Sequence, residues 1–116
     1  SEQAVMVLRD LRQLSGYSDF AFPSVRTPRR CMSANTVNVA LRALGFGKHE
    51  ATAHGFRATF VTLANERGLW NADPIERAVA HAETNSVRKV YARGEYWNER
   101  VKLMAWWGAQ IDEACR

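Results

Sequence analysis

Apolar residues recur along most of the chain at the three- and four-residue spacing that places side chains on one face of an α-helix. The first segment has this spacing from its beginning, and Ser15-Gly16 ends it. No run alternates convincingly between apolar and polar residues, so no extended sheet is predicted. The first helical face consists of Ala4, Val7, Leu8, Leu11 and Leu14.

A second helix is predicted between Ser33, a good N-cap residue, and Gly45, which can take the left-handed position after the last turn. Phe46 can then pack back on that turn. Between the two helices, Phe20–Ser24 is expected to be an edge strand or an extended linker, and Val25–Met32 an exposed basic loop. The buried stripe of the second helix is expected to contain Val37, Ala40, Leu41 and Leu44.

The third helix is predicted to follow a cap at Thr52 and to end at Gly68. The run Asp73-Pro74-Ile75-Glu76 predicts a fourth helix with a capping Asp, which ends near His81. The core of these two helices is expected to contain Phe56, Phe60, Leu63, Ala64, Ile75 and Val79.

One or two helical turns are predicted over Val87–Tyr91, and the longest helix over Glu95–Ala114. The fold class is therefore mainly α, with about six helices joined by short connections in a single domain, residues 1–116. Trp97 and Trp106 add bulk beside the stripe of the last helix, which either packs on the first and third helices or contacts further parts of the domain or a neighbouring protomer. That stripe consists of Tyr96, Val101, Leu103, Met104, Trp107 and Ile111.

Composition adds little to this fold. The 116 residues carry a formal net charge of +4 and a pI near 9.5, which permits a polyanionic partner without requiring one. Cys31 and Cys115 have neither metal-ligand spacing nor the density of a disulfide framework, so reduced thiols in a cytosolic protein are expected. No stretch has the length of a membrane span, and no signal peptide is visible.

The residues suited to chemistry lie between His54 and Tyr91. His54 and Arg57 are three residues apart at the start of the third helix, where both side chains can reach one phosphate group. Bare N–H groups at the helix N-terminus would also favour an anion. Alternatively, His54 is a capping histidine and Arg57 a surface arginine. His81 suits equally a packed histidine, and Tyr91 either a core tyrosine or a nucleophile toward phosphorus.

The order of these residues resembles the tyrosine recombinases, and among them the P4-type prophage integrases. The resemblance is strongest at His54-Gly55-Phe56-Arg57-Ala58-Thr59-Phe60, at Ala80–Glu83 and at Val87–Tyr96, and it covers nearly the whole chain. It implies the C-terminal part of the DNA breaking-rejoining catalytic fold. The ordered set of His, Arg, His and Tyr is more specific than any one of its members.

The resemblance also implies roles. Tyr91 matches the nucleophile that joins the DNA 3′-phosphate, and Arg57 the second of two phosphate-binding arginines. His54 matches the histidine that assists proton transfer, and His81 a residue that hydrogen-bonds the scissile phosphate. No metal and no cofactor are implied, because arginine and imidazole groups supply the charge stabilisation.

The family also uses a first arginine and a hairpin lysine upstream of the region that matches Ser1, and neither is present. Lys48 and Lys89 are wrongly placed to substitute. We therefore expect the chain to be a fragment of a catalytic domain that is inactive alone and exposes an apolar patch where the rest would sit.

The expected partners are double-stranded DNA attachment sites, other recombinase protomers in a synaptic tetramer and DNA-bending accessory proteins, in the cytoplasm of a bacterial host and at its nucleoid, without a membrane. Two alternatives stay open: a helical DNA-binding module without chemistry, and a helical interaction domain that docks through its tryptophan-rich last helix. Weaker candidates for DNA binding are Arg26, Arg29, Arg30, Asn35, Asn38, Arg42 and Arg88.

Overall fold

The computed structural model describes residues 1–80 and 96–116. These residues form five helices and one two-stranded antiparallel sheet, so the mainly helical prediction is confirmed, with five helices rather than about six. The turns predicted over Val87–Tyr91 lie outside the described residues. In the described ranges, no helix is long and apolar enough to cross a membrane. In chain order the elements are α1 (Glu2–Ser15), β1 (Pro23–Ser24), β2 (Thr27–Cys31), α2 (Thr36–Ala43), α3 (Ala53–Arg67), α4 (Ala72–Ala78) and α5 (Trp97–Ala114).

The chain divides into two compact units, one of Glu2–Phe56 and one of Arg57–Arg116 together with Ser1. We call them the N-terminal unit and the C-terminal unit. Every apolar residue that is fully buried among the described residues belongs to the C-terminal unit. The hydrophobic core therefore lies there.

Helix α1 has the predicted length, but its apolar face is largely uncovered. Val7, Leu8 and Leu14 are exposed, and the buried residue of this helix is Ser15. The Ser15 hydroxyl lies 3.1 Å from the carbonyl oxygen of Leu11 and 2.9 Å from that of Ala21. The periodicity of α1 thus predicts the helix correctly and its burial wrongly.

The segment that was expected to be an exposed basic loop contains strand β2. Strands β1 and β2 pair antiparallel with Pro23 opposite Cys31 and Ser24 opposite Thr27, and a register shift separates the two pairs. The Ser18 hydroxyl donates a hydrogen bond to the carbonyl oxygen of Pro28 at 2.7 Å. Backbone pairing of this kind depends on a partner strand, so the composition of β2 alone did not indicate it.

Helix α2 starts at Thr36, two residues later than a cap at Ser33 would require. The Ser33 carbonyl accepts the Thr36 N–H at 3.0 Å, and the two hydroxyl groups lie 3.0 Å apart, so Ser33 closes a turn before the helix. The end of α2 is as predicted. Gly45 has a φ of 94°, its N–H donates to Arg42, and the N–H of Phe46 donates to Leu41, which is the Schellman arrangement. The predicted buried stripe is incomplete, because Ala40 and Leu44 are exposed.

The core of the C-terminal unit contains one or two residues from each of its helices. Indole rings surround it: Trp107 meets the ring of Phe60 edge-on at 5.3 Å between centroids, and Trp106 lies 6.4 Å from Trp70. The Arg67 guanidinium on α3 also donates to Gln110 on α5 at 3.3 Å. Buried at the centre are Phe60, Ala64, Ile75 and Leu103.

The predicted core face of α3 and the predicted apolar face of α5 are only partly buried. Phe56 and Leu63 on α3 are exposed, as are Val101 and Ile111 on α5. An apolar stripe shows which side of a helix avoids water, but the width of the covered arc depends on the helices packed against it. Small residues occupy part of that arc, since Gly108 is also buried.

Helix α4 starts at Ala72, two residues earlier than it would with Asp73 as its cap. Asn71 occupies the N-cap position without a side-chain hydrogen bond, and Asp73 lies inside the first turn. The helix ends at Ala78, before the predicted end near His81. Pro74 and Ile75 are buried as the second and third residues after Ala72.

Candidate active site

The start of α3 is fixed by side chains that bind its first backbone groups. The Thr52 hydroxyl accepts the N–H of Gly55 at 2.9 Å, which confirms the predicted cap. The side-chain oxygen of Asn38 accepts the N–H of Ala53 at 2.9 Å. In addition, the guanidinium of Arg42 donates to the carbonyl oxygen of Ala51. Three polar side chains therefore bind the backbone at the start of this helix.

His54 and Arg57 follow directly on this fixed start. Their separation of three residues on one helix directs both side chains to the same side. His54 is exposed and Arg57 is half-buried, so the imidazole is open to solvent while part of the arginine is covered. The guanidinium of Arg57 carries a planar set of donors that suits two parallel hydrogen bonds to phosphate oxygens.

The backbone at the start of α3 is less open to an anion than the sequence suggested. Ala53 and Gly55 already donate their N–H groups to side chains of the protein. Gly55 also leaves room for its cap, because a Cβ there would lie 3.0 Å from the Thr52 hydroxyl oxygen. The electrostatic attraction for an anion near this helix end therefore comes chiefly from Arg57 and from the helix dipole.

Two of the four predicted catalytic residues, His81 and Tyr91, lie outside the described residues, as does Arg88. Ala80 and Tyr96 are the last and first residues of the two described ranges. Both have left-handed backbone conformations, with φ of 52° at Ala80 and 47° at Tyr96. These are unusual conformations for residues that carry a Cβ.

Tyr96 was predicted to be part of the apolar stripe of the last helix, and its hydroxyl has a polar partner instead. It donates to a carboxylate oxygen of Asp73 at 3.1 Å, which joins the start of α5 to the first turn of α4. This hydrogen bond, together with the negative charge of Asp73, raises the pKa of Tyr96 above its usual value of 10.0. The sequence gives no local signal for this contact because 23 residues separate the two partners.

The arginines of the hairpin are the most accessible of the weaker candidates for DNA binding. Arg26 lies in the turn and Arg29 and Arg30 lie on β2, and all three are exposed. Arg29 and Arg30 are adjacent in the strand, so their side chains point to opposite faces of the hairpin. A phosphate backbone on one face of the hairpin could therefore contact only one of Arg29 and Arg30.

The candidates on α2 have different surroundings. Asn35 is exposed at the N-cap position and makes no capping hydrogen bond. Asn38 and Arg42, one helical turn apart, direct polar groups at residues 51–53 instead. The spacing of Asn38 and Arg42 at positions i and i+4 indicates that they share one face of α2. It does not indicate that this face contacts residues 51–53.

Known proteins resemble nearly the whole chain. An integrase of Enterobacteria phage P4 is 42% identical over 114 residues, which is 97% of this chain and 26% of that protein. The prophage integrase IntA of Escherichia coli K12 is 38% identical over 98% of this chain, and an integrase of Shigella phage Sf6 is 33% identical over all of it. No family model matches the chain, and no solved structure matches it.

The chain is therefore homologous to the integrases of phages and prophages, which confirms the expected resemblance. It matches one segment of them, because it spans 26–30% of the length of these relatives. The His-x-x-Arg pair on α3 falls within the matched segment.

Proposed function

We propose that the protein containing this chain is a site-specific DNA recombinase of the tyrosine type, which integrates or excises a prophage or genomic island. Three observations support the proposal. His54 and Arg57 are held at the fixed start of α3, and the relatives that match nearly the whole chain are named integrases. In the sequence, His81 and Tyr91 follow in the order that the tyrosine recombinases have.

In the proposed reaction, the phenolic oxygen of Tyr91 attacks the scissile phosphorus. A tyrosine–phosphorus bond forms and the bond from phosphorus to the 5′ oxygen breaks, leaving a 3′-phosphotyrosyl strand and a free 5′-hydroxyl. Arg57 neutralises the phosphate oxygens as charge grows on them, and His81 donates a hydrogen bond to the same group. His54 takes part in the proton transfer from the phenol to the leaving oxygen.

The phosphotyrosyl bond keeps the energy of the bond that was broken. A 5′-hydroxyl from a second DNA can therefore reverse the step without a nucleotide cofactor. The partners proposed are double-stranded attachment sites and further recombinase protomers, in the cytoplasm of a bacterial host. The exposed arginines of the hairpin would add sequence-independent phosphate contacts.

The test uses the full-length protein and a suicide attachment-site substrate, whose broken strand diffuses away and traps the covalent adduct. The wild type is expected to form an adduct, and Tyr91→Phe is expected to form none while binding the same DNA with a similar Kd. Tyr17→Phe is the matched control, because Tyr17 is an exposed tyrosine of the N-terminal unit, and it should react like the wild type.

DNA binding without any adduct in the wild type would refute the chemistry and favour the non-catalytic DNA-binding module. Affinity that barely changes with salt would argue against both, because phosphate contacts release counterions and weaken steeply as salt rises. On the same substrate, the 116-residue chain alone is expected to give no adduct.

A further inference from the structure

We propose that Asn38 and Arg42 are positioning residues for the His54–Arg57 pair, an inference that rests on the proposed recombinase function. Both side chains come from one face of α2, and both bind the backbone immediately before or at the start of α3. They are not expected to touch the DNA in order to act.

The hydrogen bonds of Asn38 and Arg42 hold two successive points of the backbone that leads into α3. Asn38 binds the N–H of Ala53, the first residue of α3, and Arg42 binds the carbonyl of Ala51, two residues earlier. One contact uses an acceptor and the other a donor, so together they fix the direction of the backbone at this point as well as its position. His54 is the next residue, and Arg57 lies three residues beyond it.

The end of α2 and the loop after it have hydrogen bonds of their own. The Schellman bonds from Gly45 and Phe46 close the end of α2 just after Arg42. The loop that follows has its own backbone bonds, from the N–H groups of Glu50 and Ala51 to the carbonyl of Gly47. Asn38 and Arg42 therefore link the start of α3 to a helix whose end is held by hydrogen bonds.

Two of the three guanidinium nitrogens of Arg42 are withdrawn from solvent. Its Nε and Nη1 atoms are buried and find no hydrogen-bond partner among the described residues, while Nη2 binds Ala51. A buried guanidinium is poorly placed to compete for a DNA phosphate at the surface. Arg42 is therefore better placed to bind the backbone before α3 than to bind DNA.

The expected consequence is a loss of reaction rate with little loss of DNA affinity. Releasing the N–H of Ala53 frees the first turn of α3, and a shift of about 1 Å at reacting groups can lower a rate by roughly 100-fold. We expect Asn38→Ala in the full-length protein to lower the single-turnover rate of adduct formation at saturating DNA by about 10- to 100-fold. The Kd for DNA should change by less than about 3-fold, because the phosphate contacts elsewhere are intact.

Two further variants separate positioning from DNA contact. Asn38→Asp keeps an acceptor for the Ala53 N–H and should recover most of the rate. Arg42→Met keeps a long apolar stem without the donors, and should lower the rate while leaving the salt dependence of DNA binding unchanged. A DNA-contacting arginine would instead reduce the slope of that dependence by about 1. Val39→Ala, an exposed neighbour on α2, is the control and should react like the wild type.

Hydrogen exchange at the Ala53 amide gives a readout that does not need activity. It should become faster in Asn38→Ala and stay slow in Asn38→Asp. If the wild type forms no adduct, the proposed function fails while the exchange result still tests the contact. If the wild type reacts and both Asn38→Ala and Arg42→Met react as fast as the wild type, the positioning role is wrong. It is also wrong if these variants lose DNA affinity instead of reaction rate.

Discussion

Leu103 offers the sharpest test of the core of the C-terminal unit. It lies on α5 with no exposed surface, in the cluster formed with Phe60, Ala64 and Ile75. Leu103→Ala removes three carbon groups, which at about 0.8 kcal/mol each amounts to about 2.4 kcal/mol of lost burial. The remaining cavity adds to this loss, so the expected destabilisation is about 2–5 kcal/mol.

Tryptophan fluorescence in a urea titration measures this change selectively. All four tryptophans belong to the C-terminal unit, and Trp70, Trp106 and Trp107 pack against the cluster. With a urea dependence of about 2 kcal/mol per M, the unfolding midpoint of Leu103→Ala should fall by about 1–2.5 M.

Val101→Ala is the matched control, because Val101 lies two residues earlier on the same helix and is 51% exposed. It should change the free energy of unfolding by less than about 1 kcal/mol, since the lost burial is partial and alanine favours the helix. Equal effects of the two substitutions would refute the assignment of Leu103 to the core and Val101 to the surface.

Two further predictions concern the helix start and the tyrosine contact. Thr52→Ala should destabilise the protein by about 1 kcal/mol through loss of the cap to Gly55. Thr62→Ala, at an exposed position of α3, is the control and should have little effect. Thermal unfolding followed by circular dichroism compares the two variants. Because the pKa of Tyr96 is raised in the folded state, its bond to Asp73 should stabilise fully below pH 10.0 and weaken as pH rises through that raised pKa. The stability difference between wild type and Tyr96→Phe should therefore disappear only in strongly alkaline solution, and a difference already lost at neutral pH would contradict the contact.

The sequence determined the features that depend on neighbouring residues. The Thr52 cap, the left-handed Gly45 and the lengths of α1, α3 and α5 follow from local hydrogen bonding and periodicity, so they were predicted. The order of the candidate catalytic residues is likewise a property of the sequence. That order alone carries the resemblance to the tyrosine recombinases.

The tertiary structure decided what each local feature meets. Phe56 and Leu63 were predicted to be buried and are exposed, because the periodic pattern defines an apolar face but not the arc that a neighbouring helix covers. Strand β2 needed its pairing with β1, and Tyr96 needed an Asp73 brought close by folding. Asn38 and Arg42 were candidates for DNA binding, and only the fold directed their side of α2 at the start of the helix that carries His54 and Arg57.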